Sequence, residues 1–321
     1  MMRMDAEDRS AFAEAIDQIT AARSGKDLDA ALVDIGWHDA LASYAADAVA
    51  ILFENQGRTR ATSSALDVVL AYAAGLEPST CPVLPPLGAV RAPGVLGDRS
   101  LTVHGLISSR TSASADVVVV ARSENKYLLV TVDAAALAPR QIHGIDPDLE
   151  LSQIENRSVP AGACTIGGAV PWDKVVAAGQ LALAHELIGL SRAMLEMART
   201  HALSREQFGR PIASFQAVRH RLAESLVAIE AADGAAAAAW ETPSPLASSI
   251  AKALAGQGAR TVAKHAQQVL AGMGFTAEHD FHLYYKRALV LDSLLGSSRQ
   301  LTDDLGRQLL ARRNLPAMPP L

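Results

Sequence analysis

From about residue 171 onward the chain repeats apolar residues at helical spacing in four separate runs, and nothing else in it restricts the fold as strongly. Leu181, Ala184, Leu187, Ile188, Ser191, Met194, Leu195 and Ala198 mark the first run, and Phe215, Val218, Leu222 and Leu226 the second. Leu246, Ile250, Leu254 and Val262 mark the third, and Leu291, Leu294, Leu301 and Leu305 the fourth. A stripe that recurs every three or four residues on an otherwise polar helix must be buried against a neighbour. Four such helices in succession predict a four-helix bundle. Hydrophobic residues make up 50% of the chain and aromatics only 4%, so the core of that bundle is aliphatic. "AADGAAAAAWETPSP" joins the second and third runs, with Ser244 placed as a cap and Pro245 in the first turn.

Upstream the pattern changes twice. Residues 1–78 read as helices: Phe12, Ile16 and Ile19 share one face, and Leu41, Ala45, Ala48, Val49 and Leu52 another, with Gly57 expected to stop the second. "TSSALDVVLAYAAG" forms a further helix ending at Gly75. Residues 79–165 open with "EPSTCPVLPPLGAVRAPGVLGD", which Pro and Gly exclude from any long helix. "SLTVHGLIS", "ADVVVVAR", "KYLLVTVD" and "LELSQIENRSVP" follow as short β-branched runs and predict a small antiparallel sheet or barrel. The expected fold is therefore α+β and mostly α: an N-terminal helical domain (1–78), a β domain (79–165) and a C-terminal four-helix bundle (166–321).

A formal charge of −5 argues against an electrostatic grip on nucleic acid. The acidic amphipathic start has no apolar signal core, and no run of about 18 apolar residues occurs. Cys81 and Cys164 have no metal-like spacing and read as plain buried residues of a reducing compartment. A soluble, cytoplasmic protein without a membrane span is expected.

The densest chemistry lies in "SREQFGRPIASFQAVRHRLAE", residues 204–224, where the first bundle helix should end and the second begin, around a Gly-Arg-Pro turn. Arg205 supplies a fixed planar cation suited to phosphate, Gln207 and Gln216 supply amides, and Phe208 and Phe215 supply flat apolar surfaces. The same residues also permit a plain corner, with Arg205 paired to a carboxylate and the phenylalanines in the core.

This segment resembles the signature corner of the acyl-CoA dehydrogenase family, which reads arginine, any residue, polar residue, Phe-Gly-Lys/Arg, then a helix opening on glutamine. "QQVLAGMGFTAEHDFHLYYKRA", residues 267–288, resembles the family's Gln-x-x-Gly-Gly-x-Gly-(Tyr/Phe) segment. "AHELIGLSRAMLEMA", "LVDIGWHDAL" and "LFENQGRTRA" fall in the family's order. The resemblance implies that the corner contacts FAD bound mainly to a neighbouring subunit. Arg205 would then meet the pyrophosphate, Gln207 and Phe208 the adenosine side, and Ile212, Phe215 and Gln216 would lie beneath. Gln268 and Gly272 would approach the same cofactor. The family's paired glycine is Ala271–Gly272 here.

Other departures bear on activity. The family reaction removes a proton alpha to a thioester and passes the beta hydride to the flavin, which requires a carboxylate base. Aligned with the family, Leu295 stands where the usual glutamate belongs, followed by Gly296 and Ser297. The alternative position, on the first bundle helix, falls at about Gly179, with Asp173 and Glu186 about two turns away on either side. Asp292 is the nearest substitute. The family's Thr-Glu-Pro-x-(Ala/Gly)-Gly-Ser-Asp and Trp-(Ile/Phe)-(Thr/Ser)-Asn stretches are missing, the second replaced by "LISSRTSASAD".

This pattern is similar to the short subunit of heterotetrameric acyl-CoA dehydrogenases of bacterial steroid side-chain degradation. It implies a full-length partner subunit that binds the acyl-CoA and supplies the base, shared FAD, and an electron-transfer flavoprotein as acceptor. An FAD-free structural relative, or a stand-alone dehydrogenase with a displaced base such as Asp292, are the alternatives. "EHDFH" gathers Glu278, His279, Asp280 and His282 without a further ligand motif, and no metal is expected.

Overall fold

Residues 2–108 and 115–313 are described by a computed structural model. Residues 109–114, part of "LISSRTSASAD", lie outside the described residues.

Asp5 accepts a hydrogen bond from the Asp8 amide and starts α1 (Ala6–Ala22). α2 (Lys26–Asp34), α3 (Trp37–Ser43), α4 (Ala45–Thr59) and α5 (Ala65–Ala73) follow. Their apolar faces meet in one cluster around Ile16, Leu28, Trp37, Leu52 and Phe53, and the Trp37 indole donates to the Ala48 carbonyl at 3.1 Å. Gly75 closes α5 as expected: its φ is +73°, and the Leu76 amide reaches back to the Ala71 carbonyl at 2.9 Å.

Gly57 does not stop its helix. α4 runs on to Thr59 and ends at Arg60 in the left-handed region. Gly57 is buried because α4 crosses the first bundle helix with almost no gap: an added Cβ would overlap the Glu186 carbonyl oxygen and lie 2.7 Å from the Leu190 nitrogen. The glycine is there for close approach, which a one-dimensional pattern cannot tell from a helix stop.

Eight strands form one sheet: β1 (Cys81–Pro82), β2 (Gly94–Leu96), β3 (Ser100–Ser108), β4 (Asp116–Ser123), β5 (Lys126–Asp133), β6 (Arg140–Gln141), β7 (Leu151–Pro160) and β8 (Thr165–Ala169). A four-residue α6 (Ala134–Leu137) follows β5. The order is β6-β7-β3-β2-β4-β5-β8, with β1 also on β4. Most pairings are antiparallel, but β1 and β2 both run parallel to β4, so the expected purely antiparallel sheet is mixed. The Pro- and Gly-broken segment between β1 and β2 lays its two short extended pieces one after the other along a single edge of β4. Cys81 and Cys164 form no disulfide and are half-buried rather than buried.

Five further helices follow among the described residues: α7 (Trp172–Ser204), α8 (Gln216–Glu241), α9 (Pro245–Leu270), α10 (Phe281–Ser293) and α11 (Ser298–Arg312). Ser244 caps α9 through the Ala247 amide, with Pro245 in the first turn. Ser249 near the start of α9 bonds Gln180 near the start of α7. Trp240 at the end of α8 bonds His185 of α7. α7 and α9 therefore run in the same direction, with α8 reversed between them.

Two stripes differ from expectation. On α8 the buried residues are Ser225, Ile229, Ala232, Ala236 and Ala239, whereas Leu226 is 49% exposed. Alanine lets the helices approach, and the larger side chains stand outside that contact. The fourth stripe belongs to two helices: Leu295 (φ +53°) and Gly296 (φ +97°) break it between α10 and α11. No described helix is long and apolar enough to cross a membrane.

Candidate functional site at one end of the bundle

α7 ends at Ser204, and "REQFGRP" turns back as a hairpin. β9 (Glu206–Gln207) pairs with β10 (Arg210–Pro211) in the register Arg210↔Gln207. The turn is therefore Phe208–Gly209, not Gly-Arg-Pro, and both turn residues have positive φ, +54° and +76°. That is the pattern of a type I′ hairpin turn, in which glycine is at ease and phenylalanine is not. The Phe208 ring is 92% exposed, edge-on to Phe215 with centroids 6.1 Å apart. The Arg210 guanidinium carbon lies 4.4 Å over the Phe215 ring. Arg210 thus stiffens the corner through a cation–π contact, a role no reading of the sequence assigned to it.

Arg205 is exposed and its guanidinium makes no hydrogen bond or ion pair with any described residue. The amide of Gln207 donates to the Glu206 carbonyl at 2.7 Å. Ile212 and Phe215 are half-buried on the approach to α8, and Gln216, its first residue, is exposed. Of the plain-corner alternative, Arg205 has no carboxylate partner among the described residues and Phe208 is outside the core, whereas Phe215 is half-buried.

Gln268 and Gly272 are exposed at the end of α9, on the same end of the bundle as the hairpin because α7 and α9 are parallel. A Cβ added at Gly272 would meet nothing within 4 Å, so no part of this chain demands glycine there. Ala271 ends α9 with φ 50° and ψ −128°, a conformation glycine holds freely and alanine holds at a cost of about 1–3 kcal/mol. Ala271→Gly is expected to raise the free energy of unfolding by about 1 kcal/mol net of glycine's unfolded-state entropy, and the urea midpoint with it. An unchanged or lower midpoint would contradict the strain.

The two positions where the family resemblance locates a base converge in space. Leu295 is buried, its carbonyl accepts from Gln180 at 3.0 Å, and its side chain occupies the space beside Gly179. A Cβ at Gly179 would overlap Leu295 Cδ1 and lie 2.8 Å from Leu70 Cδ2. Three aliphatic or absent side chains fill the place, and no carboxylate is among them.

The other acids are engaged or remote. Asp292, 1% exposed, accepts from Arg260 Nε at 3.1 Å and Nη2 at 2.7 Å, and from the Ser298 amide and hydroxyl at 3.0 and 3.2 Å. Asp173 is exposed in the first turn of α7. Glu186 is buried against a cavity of about 60 Å³; burial raises its carboxyl to about 7, although the charge of Arg287 opposes this. Arg287 is itself buried and ion-paired with Asp146, with Nη1 4.0 Å from Glu186. Of "EHDFH", the His279 Nδ1 accepts from the Phe281 amide at 3.1 Å and His282 bonds the His279 carbonyl. Among the described residues no group of three or more His, Cys, Asp or Glu side chains is placed to hold a metal ion.

Residues 174–310 match the family described as acyl-CoA dehydrogenase, C-terminal domain. The acyl-CoA dehydrogenase IpdE2 of Mycobacterium tuberculosis is 34% identical over 187 residues, 58% of this chain and 55% of that protein. The chain spans about half or less of the length of such curated relatives, 29% in one case. The fold is shared with the Tcur3481-Tcur3483 steroid ACAD G363A variant (TM-score 0.76, 21% identity, 96% of this chain and 98% of that one). It is also shared with the ChsE4-ChsE5 complex from Mycobacterium tuberculosis (TM-score 0.74, 19% identity, 99% and 100%).

Proposed function

We propose that this chain is a base-lacking subunit of a heteromeric FAD-dependent acyl-CoA dehydrogenase, built as a helical unit (1–78), a β unit (79–165) and a bundle (166–321). The observation that carries the proposal is a contrast. The corner holding Arg205 is exposed and unpaired, while the place of the base is filled by Leu295 against Gly179.

The residues fit the cofactor on their own chemistry. Arg205 offers an unpaired guanidinium to a diphosphate, Phe208 presents a bare ring, and Gly272 leaves its backbone open to close approach. Gln207, Ile212, Phe215, Gln216 and Gln268 surround them on the same end of the bundle. FAD, when bound, supplies the acceptor for the beta hydride; this chain's part is to neutralise and position its adenosine-diphosphate end. Asp292 has its carboxylate occupied by Arg260 and Ser298 and is assigned no proton transfer. The partner is a full-length dehydrogenase subunit that binds the acyl-CoA, in a cytoplasmic heterotetramer with electron-transfer flavoprotein as acceptor. Two similar folds carry names that support this, one a steroid ACAD and one a two-protein complex, and a steroid side-chain thioester is the substrate class they favour.

Co-expression with a longer acyl-CoA dehydrogenase from the same source tests the reading. The chain alone should purify colourless and inactive, and the complex should carry flavin. Arg205→Ala should weaken FAD retention by the complex about tenfold or more, the loss of a charge-assisted hydrogen bond. Flavin retention indifferent to Arg205, or acyl-CoA oxidation by the single chain with an artificial acceptor, would overturn it.

A further inference from the structure

α8 is apolar on two faces. One is covered: Ser225, Ile229, Ala232, Ala236 and Ala239 are buried where the helix packs on α7 and α9. The other is open. Val227 is 68% exposed and Leu226 49%. Between His220 and Glu241 the other exposed positions are alanine or glycine, except for Glu224 and Glu230. From Leu222 to Glu241 the helix carries no Lys or Arg. A surface helix normally turns a charged face to water, and one that is apolar all round is a buried helix. This outer face runs for about 30 Å at the helical rise, and a continuous apolar face of that length marks a contact with another polypeptide.

The order of the charges along α8 indicates what covers it. The exposed Arg219 and His220 stand in its first turns, and the exposed Glu241 is its last residue. Consider a second copy of α8 laid antiparallel about a twofold axis that passes between Glu230 and Ala231. Each copy's Arg219 and His220 then lie beside the other's Glu241. The same axis sets Val227 of each copy against Gly234 of the other, where a side chain would meet nothing of its own chain within 4 Å. It also brings Ala231 next to Ala231. A branched side chain over glycine, and alanine over alanine, allow two helices to approach closely. A parallel copy would instead set Arg219 against Arg219, Glu241 against Glu241 and Val227 against Val227. One charge opposes the antiparallel pair: Glu230 lies by the axis and faces its own counterpart.

We infer that the outer face of α8 is a self-association surface, on which two copies of this chain pair antiparallel about a twofold axis. The pairing needs neither flavin nor a longer subunit, so it stands apart from the function proposed above. In a heterotetramer with two copies of this chain, α8 is where those copies meet.

Sedimentation equilibrium of the full chain at up to about 100 μM should show a dimer. Val227→Glu should weaken it about tenfold or more, with the helical circular dichroism unchanged, and Glu230→Gln should tighten it. Arg219→Glu and Glu241→Lys should each weaken the dimer, and the double variant should recover it. Under a mild oxidant Ala231→Cys should link two chains by a disulfide, because the axis brings the two sulfurs within bonding reach. Ala223→Cys, also exposed, lies opposite Ala238 and should not. Should Val227→Glu fail to fold, the two cysteine variants decide alone. A chain monomeric at every concentration, a dimer indifferent to Val227→Glu, or equal cross-linking at Ala223 and Ala231 overturns the pairing. So does a monomeric chain whose Val227→Glu variant no longer co-purifies with a longer dehydrogenase subunit, which would give the face to that subunit.

Discussion

Gly189→Ala is expected to lower the free energy of unfolding by about 3 kcal/mol or more, while the same change at Gly234 raises it by about 1 kcal/mol. Both glycines lie inside long bundle helices, in α7 and α8, where alanine has the higher helix propensity. Propensity decides the outcome at Gly234, because its added methyl would meet nothing within 4 Å. At Gly189 the methyl would overlap the Glu54 carbonyl oxygen and lie 3.0 Å from the Glu54 Cα. Those are backbone atoms of α4 and cannot rotate aside. The two helices would have to separate at the crossing that Gly57 and Gly189 create together, opening the core between the N-terminal helices and the bundle. Chemical denaturation of the two variants reads the contrast directly, and equal shifts of the same sign would disprove a backbone-to-backbone crossing.

Glu186→Gln is expected to stabilise the protein at pH 8 by up to about 3 kcal/mol and to do little at pH 4.5. Burial raises the folded carboxyl to about 7, against an ordinary value of 4.5. A raised acid contributes stability that is complete below the unfolded value, and this is lost as pH rises through the folded value. The wild-type chain therefore weakens between about pH 4.5 and 7 on account of this side chain, and glutamine, which cannot ionise, does not follow. Arg287 stays paired with Asp146 in either case. Melting curves of both proteins across this range cancel every other titrating group, leaving the difference to Glu186. Parallel curves would show that its carboxyl is not raised.

Much of the architecture is legible in the amino-acid sequence. The order of helices, strands and bundle follows from hydrophobic period, and the Ser244–Pro245 start of α9 and the Gly75 end of α5 follow from local chemistry. The failures share one cause. Gly57 looked like a stop and is a contact; Leu226 looked buried and is half exposed; Leu291 to Leu305 looked like one helix and is two. Each depends on what lies across from the residue, which periodicity does not record.

The candidate site divides in the same way. Residue type marks the corner out in the sequence, with an arginine, two phenylalanines and their glutamines in so aliphatic a chain. The family resemblance, not residue type, pointed to the two positions empty of a carboxylate. Only the tertiary structure decided that Arg205 is unpaired, that Phe208 turns a hairpin with its ring in solvent, and that Gly179 and Leu295 fill one place from two helices. Residue type and spacing are local properties of the chain, whereas pairing, burial and convergence arise when distant segments meet.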